Sequence, residues 1–301
     1  MNQCLQTNAT VQFRWCNSLE PATKAAVGSL RTLSGVQKKL LVASDAERYV
    51  PAGPHGSAPY IAKFTSDDLP TLVRNETLTL DLARILLGPR DVVESTNAEI
   101  DGLGHALVVK RVDRTEADEK LRLEDLCQVL VRPRGPRNEY KYDSSYEEAG
   151  QAVATHSARP DIDTLRFFKF VVANALLGNC DAHLKNFSLL ERPEGLRLSP
   201  AYDVVNSICY RNRGHSTRFA LRIDGEYRQH DRVDRALLVA LAGNLGLTDG
   251  AARQAFADLR QSALRVVARL QKAAAAEQDP GFLGDYEQIV FASHHRIFGN
   301  D

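Results

Sequence analysis

The chain has 301 residues, 44% apolar and 25% charged, with 38 basic and 38 acidic side chains. This is the composition of a soluble globular protein with one large domain or two small ones. The balanced charge leaves no basic footprint for direct nucleic-acid binding, so any DNA contact is expected only through a partner. Cys4, Cys16, Cys127, Cys180 and Cys209 are odd in number and scattered, which predicts reduced thiols rather than a disulfide framework. Cys4 and Cys16 alone make a poor zinc site. The N-terminus lacks a signal pattern, and no apolar run reaches the ~18 residues of a membrane span. The expected location is the cytoplasm, with no membrane partner.

Residues 1–28 are weakly patterned and are read as an N-terminal arm. From Ser29 the chain is β-rich: Leu30–Ser34, Lys39–Ala43 and Tyr60–Phe64 are short apolar runs broken by Gly and Pro. Leu69–Leu87 carries helical spacing and stops at Gly88. Val92–Ser95 and Ala106–Val112 read as strands, and Leu121–Val131 as a helix. Arg132–Ser145, rich in Arg, Pro, Lys and Tyr, reads as an exposed loop. Asp161–Gly178 opens on possible Asp caps and is apolar on nearly every face, so it is expected to be a central buried helix. Phe187–Leu190 and Leu196–Ser199 pair as a hairpin around Pro193-Glu194-Gly195, and Asp224-Gly225 marks another turn. Helices follow over Val233–Asn244, Asp249–Glu277 and Pro280–Ile297, with Thr248 or Asp249 capping the second. The expected fold is α+β: an arm over 1–28, a small β-rich lobe over 29–112 and a larger helical lobe over 113–301.

The chemistry concentrates in Asn179-Cys180-Asp181-Ala182-His183-Leu184-Lys185-Asn186-Phe187-Ser188, directly after the apolar helix, and in Asp203 beyond the hairpin. In protein kinases a catalytic Asp precedes a metal-binding Asn by five positions, and a second metal-binding Asp follows. Asp181, Asn186 and Asp203 reproduce that order. Loose phosphoryl transfer needs positioning and charge more than covalent chemistry, which suits carboxylates, an amide and cations. Asp181 would then orient the acceptor hydroxyl, and Asn186 and Asp203 would hold Mg²⁺. Lys185 would neutralise the transferred phosphoryl group, and His183 would brace the loop beside the nucleotide. Read blandly, the stretch is only a polar turn after a helix.

Three weaker signals gain meaning beside it. Gly35 in Ser34-Gly35-Val36-Gln37-Lys38 would let backbone amides approach phosphate, although one Gly alone marks only a turn. Lys63, ending a strand, would reach the α/β-phosphates, or is a solvated lysine. Glu76 is placed to pair with Lys63, or with Asn75 forms a polar pair that stabilises the helix.

Together these blocks resemble the HipA-type toxin kinases of bacterial toxin–antitoxin systems over residues ~30–295. They are joined by Val109-Lys110-Arg111-Val112-Asp113-Arg114, Glu124-Asp125-Leu126-Cys127-Gln128 and Pro200–Val204. The resemblance implies a two-lobed protein-kinase-like fold with an all-helical larger lobe, and Ser/Thr phosphorylation with ATP and Mg²⁺. It implies a protein substrate of the translation machinery such as an aminoacyl-tRNA synthetase, and a cognate antitoxin. It places adenine against the backbone around Lys110 and Val112, and ATP phosphates against Lys63 and the Ser34–Lys38 turn. The short chain is similar to HipT-like members, whose missing N-terminal subdomain is a separate protein. Family members carry a regulatory serine before the glycine; here Thr32 and Ser34 take those places, and one or both are expected autophosphorylation sites, or else ordinary strand residues with exposed hydroxyls. Two other functions remain in view: a small-molecule phosphotransferase using the same residues, and a catalytically silent ATP-binding partner protein.

Overall fold

The computed structural model describes residues 37–45, 48–53, 56–133, 135, 139–275 and 280–299. The arm, the Leu30–Ser34 strand, and Thr32, Ser34, Gly35 and Val36 lie outside the described residues.

The small lobe is a closed five-stranded barrel. Its strands are β1 (Lys39–Asp45), β2 (Arg48–Pro51), β3 (Tyr60–Phe64), β4 (Ser95–Ile100) and β5 (Gly104–Lys110), in the order β1-β2-β4-β5-β3. Val42, Ala62, Phe64, Ile100, Ala106 and Val108 fill it. Alternation along β5 sends Ala106 and Val108 inward, while Leu107 and Val109 pack on the opposite face against the main core. A strand covered on both faces has to be apolar throughout, which explains the unbroken Ala-Leu-Val-Val run.

Helix α1 (Leu72–Leu87) covers that outer face. It also packs on two helices of the larger lobe, α4 (Pro160–Leu177) and α6 (Asp249–Ala275). Asn75 of α1 exchanges two hydrogen bonds with the backbone of Asn206: its Nδ2 donates to the carbonyl at 3.0 Å, and its Oδ1 accepts from the amide at 2.9 Å. Thr79 Oγ1 lies 2.9 Å from the Tyr286 hydroxyl. Buried polar groups paired so specifically resist sliding of one element over the other.

The larger lobe is built on α4. Pro160 starts it, where a missing amide hydrogen costs nothing. Its residues Phe167, Phe168, Val171, Val172, Leu176 and Leu177 are fully buried, as the all-round apolar pattern requires. Around it lie α3 (Tyr146–His156), α5 (Arg235–Asn244), α6 and α7 (Pro280–Phe298). Caps are local: Ser145 accepts from Glu148 N at 3.0 Å, Asp234 from Leu237 N at 2.9 Å, and Thr248 from Ala251 N at 3.2 Å. A three-stranded sheet of β6 (Leu123–Asp125), β7 (Ser188–Arg192) and β8 (Gly195–Leu198) lies within this lobe, and the β7–β8 hairpin is the one read from the sequence. No described helix is long and apolar enough to cross a membrane.

Three local expectations change. Leu121–Val131 is strand β6 followed by one helical turn, α2 (Leu126–Val129), because Leu123 and Asp125 pair with Leu190 and Ser188. Val92 and Val93 enter the core from an irregular segment, and the strand begins at Ser95. Arg132–Ser145 is not simply exposed: Glu139–Tyr142 is a 3-10 turn, and Lys141 and Ser144 are buried.

Helix α4 ends at Gly178 with φ +74°, and a Cβ there would fall 2.5 Å from Asn206 Oδ1. Both the left-handed backbone and the neighbour oppose a side chain. Gly178→Ala should therefore lower stability by about 1–3 kcal/mol. A shift in the urea unfolding midpoint at unchanged slope would show it; an unchanged midpoint would contradict the close approach.

Candidate active site

The loop leaving α4 is pinned residue by residue. Asn179 donates through Nδ2 to Asn174 Oδ1 at 2.9 Å and accepts from Asp181 N at 3.2 Å. Cys180 N donates to Ser207 Oγ at 2.9 Å, and the Tyr146 hydroxyl to Ala182 O at 3.0 Å. Asn186 folds back on His183: its Oδ1 accepts from His183 N at 3.0 Å, and its own N–H donates to His183 O at 2.8 Å. Asp181 thus stands on a loop fixed from several sides, as positioned chemistry requires.

The β7–β8 hairpin then returns the chain to Asp203. Tyr202 locks this return, donating to Lys185 O at 2.9 Å and lying 2.5 Å from Ser188 Oγ. Asp203 adopts φ +57°, a left-handed conformation that Asp tolerates better than most side chains. Its carboxylate is aimed at the small lobe. Lys63 Nζ, from β3, donates to Asp203 Oδ1 at 2.6 Å and also to Glu76 Oε1 of α1. Asn186 Nδ2 donates to Asp203 Oδ2 at 3.2 Å. The β1–β3 register sets Lys39 opposite Lys63, and Lys39 Nζ lies 3.8 Å from Asp203 Oδ1.

Burial opposes every charge in this cluster, but the charges compensate. Burial works against the Lys63 ammonium, yet Asp203 and Glu76 hold it protonated above the usual lysine range. Burial also opposes the Asp203 carboxylate, yet Lys39 and Lys63 keep it ionised well below the usual range. Glu76 is pushed up by burial against the pull of Lys63, and Lys39 is lowered by burial. Across the cleft, burial raises the Asp181 carboxyl, opposed by Lys141 and by the Tyr142 hydroxyl, which donates to Asp181 Oδ1 at 3.0 Å. His183 is buried and pushed down to about 3, so it is neutral near pH 7, and its Nδ1 has no partner.

Of the residues singled out in the sequence, Lys63, Glu76, Asn186 and Asp203 meet in one linked cluster, while Asp181, His183 and Lys185 lie on the adjoining loop. Gln37 is buried with Nε2 unpartnered, whereas Lys38 is exposed. Alternation along β1 turns Lys39 inward in its place. Lys110 stands apart from the cluster: its side chain pairs with Glu94 and Glu116, and its amide donates to Glu94 O at 2.9 Å. Val112 packs against the main core. Lys39, Lys141, Tyr142 and Asn206 were not anticipated. Lys39 was discoverable from strand parity relative to Lys63, but the burial of Lys141 and Tyr142 has no local signal. A cavity of about 470 Å³, lined by Tyr210, Arg213, Phe282 and Asp285 among others, shares no residue with this cluster.

The donor set suits Mg²⁺. Asp203 offers one ionised carboxylate, and Mg²⁺ characteristically takes one or two protein oxygens, completing its shell with phosphates and water. Asn186 turns its amide nitrogen to Asp203 and its oxygen to His183 N, so its oxygen becomes a second ligand only when the amide turns. No group of three or more His, Cys, Asp or Glu with metal-ligand geometry occurs among the described residues, which argues against an all-protein metal cage.

Comparison with known proteins identifies the family. The profile described as the HipA-like C-terminal domain matches residues 31–272. A Sinorhizobium fredii protein named as a candidate kinase, Y4mE, is 31% identical over 214 residues, 67% of this chain and 48% of its own length. The serine/threonine-protein kinase toxin HipA of Shewanella oneidensis is 25% identical over 298 residues, 89% of this chain and 64% of that protein. The solved complex of Shewanella oneidensis HipA with HipB and operator DNA superposes with a TM-score of 0.72, covering 90% of this chain and 66% of that one. The Helicobacter pylori kinase CtkA shares the fold at a TM-score of 0.58 and 11% identity, over 85% of this chain and 87% of its own. The chain spans about half the length of the first of these relatives and under two thirds of the HipA toxin. With the profile running through barrel, cleft and helical lobe alike, the chain belongs to the HipA-like C-terminal domain family, and its fold is the α+β kinase fold of that family.

Proposed function

We propose that the chain is an ATP- and Mg²⁺-dependent serine/threonine protein kinase that acts as the toxin of a bacterial toxin–antitoxin system. The observation that carries this reading is the convergence of Lys63, Asn186 and Asp203 from three separate elements, with Asp181 on the adjoining loop. Lys63, held charged by Glu76 and Asp203, serves as the cation for ATP phosphates, and Lys39 adds a second positive charge. Residues 34–38 precede β1 in the sequence, and their backbone amides are assigned to those phosphates. Asn186 and Asp203 hold Mg²⁺, which when bound supplies positive charge against the charge that develops on the transferred group. Asp181 orients the acceptor hydroxyl and takes its proton, while Lys185 neutralises charge beside it. Neutral His183 braces the loop through its backbone bonds to Asn186. Adenine lies against the end of β5 between Lys110 and Val112.

The protein substrate is a component of translation such as an aminoacyl-tRNA synthetase. The HipA relative is solved with HipB and operator DNA. By analogy this chain works in the cytoplasm with a cognate antitoxin and reaches DNA only through it. Thr32, Ser34 or both are its autophosphorylation sites.

Incubation of the purified chain with γ-labelled ATP tests the reading. Transfer to protein is expected with Mg²⁺ and is expected to vanish with EDTA, and expression of the chain alone should arrest bacterial growth. Transfer to a sugar or antibiotic with no protein labelling would favour a small-molecule phosphotransferase. ATP binding without any transfer would leave a silent partner protein.

A further inference from the structure

The Glu139–Tyr142 turn packs directly on the Leu184–Asn186 turn of the catalytic loop. Two consecutive side chains on it face the site. The Tyr142 hydroxyl donates to Asp181 Oδ1 at 3.0 Å, and its ring stands edge-on to His183 with centroids 5.3 Å apart. Lys141 is buried, with Nζ 4.8 Å from the centroid of the Tyr142 ring. Burial pushes its ammonium down, opposed by Asp181 and Asp203.

Neighbouring tyrosines show what a purely structural hydroxyl does here. Tyr146 donates to the carbonyl of Ala182 and Tyr202 to that of Lys185, so both satisfy backbone groups that folding has buried. Tyr142 satisfies no backbone group. Its hydroxyl is spent on the carboxylate assigned to the acceptor.

We propose that Tyr142 is a positioning residue for phosphoryl transfer: its hydroxyl fixes Oδ1 of Asp181 so that Oδ2 faces the acceptor hydroxyl, with Lys141 steadying the Tyr142 ring. This rests on the phosphotransferase reading above. A carboxylate on a short side chain rotates about its last bond, and a donor on one oxygen fixes the plane of the other. Proton transfer falls off steeply when that oxygen is displaced by a fraction of an ångström. A cation over the ring face opposes tilting of the ring.

The test uses the full chain with Mg²⁺, γ-labelled ATP and casein as probe acceptor, measuring turnover and the ATP concentration for half-saturation. Tyr142→Phe keeps the ring edge against His183 and deletes only the hydroxyl. Turnover is expected to fall by about 10–100-fold, with half-saturating ATP within about twofold of wild type. Lys141→Gln should lower turnover in the same way and Lys141→Arg should restore most of it, so the charge can be judged even if the tyrosine variant folds poorly. Wild-type turnover in Tyr142→Phe overturns the proposal. So does a rise in turnover, which would make Tyr142 a plug, and so does a loss that appears equally in ATP half-saturation. A wild-type chain inert toward every acceptor, itself included, removes the phosphotransferase reading and this inference with it; an active wild type beside an equally active variant removes this inference alone.

Discussion

Asp181→Asn should lower phosphoryl transfer by about 10²–10⁴-fold while leaving ATP binding near the wild-type level. The amide oxygen can still accept the Tyr142 hydroxyl, and the Asp181 amide can still donate to Asn179, so the loop keeps its shape. What is lost is a group able to take a proton. The ion pairs of Lys63 with Glu76 and Asp203 do not involve Asp181 and are untouched. Single-turnover transfer and calorimetric ATP titration separate the two effects, and the same variant should no longer arrest growth. Turnover close to wild type would move the acceptor role elsewhere.

The largest stability effect is expected at Asp163, a carboxylate with no exposed surface. Its Oδ1 accepts from Arg166 Nη1 at 2.8 Å and Arg197 Nη2 at 3.1 Å. Its Oδ2 accepts from Arg197 Nε at 2.8 Å, Leu198 N at 2.9 Å and Ser157 Oγ at 2.6 Å. One side chain therefore joins the start of α4, the end of α3 and strand β8. Asp163→Ala leaves two guanidinium groups and an amide short of a partner, and should cost about 3–5 kcal/mol. Burial alone would raise the carboxyl, but the hydrogen bonds from Arg197, Ser157, Leu198 and Arg166 hold it at about 2, against an ordinary 3.8. With the folded value depressed, the stabilisation is fully present above the ordinary value and drains away as pH falls toward about 2. The gap between wild type and variant should thus be widest at neutral pH and narrow through that window. Equal urea midpoints at pH 7 would contradict the role given to Asp163.

The parts of this protein that were legible in its sequence are those whose signal is local. Strand β3, the β7–β8 hairpin and helix α4 each rest on spacing within a few residues, as does the placing of Asp181 and Asn186 on one loop. The misses share a different origin. Leu121–Val131 has spacing that fits a helix, but the partner that makes β6 a strand is Leu190, far along the chain. Lys38 and Lys39 are adjacent cations, and only pairing with β3 decides which one turns inward. Arg132–Ser145 has the composition of a solvated loop, and Lys141 is buried there because another turn folds over it. Asp163 reads as one of two capping acids at a helix start, yet its role comes from arginines on β8 and on α4 itself. The Ser34–Val36 turn and the Thr32 and Ser34 sites fall outside the described residues.

The anchoring of α1 has a mechanical consequence. Asn75 is tied to Asn206 and Thr79 to Tyr286, and the same helix also packs on β4 and β5 of the barrel. Leu80, Leu107 and Val109 lie in one core with the larger lobe, so α1 is a common support for both halves. A substitution that loosens Asn75 or Thr79 should therefore be felt within one helical turn, at the Lys63–Glu76 contact.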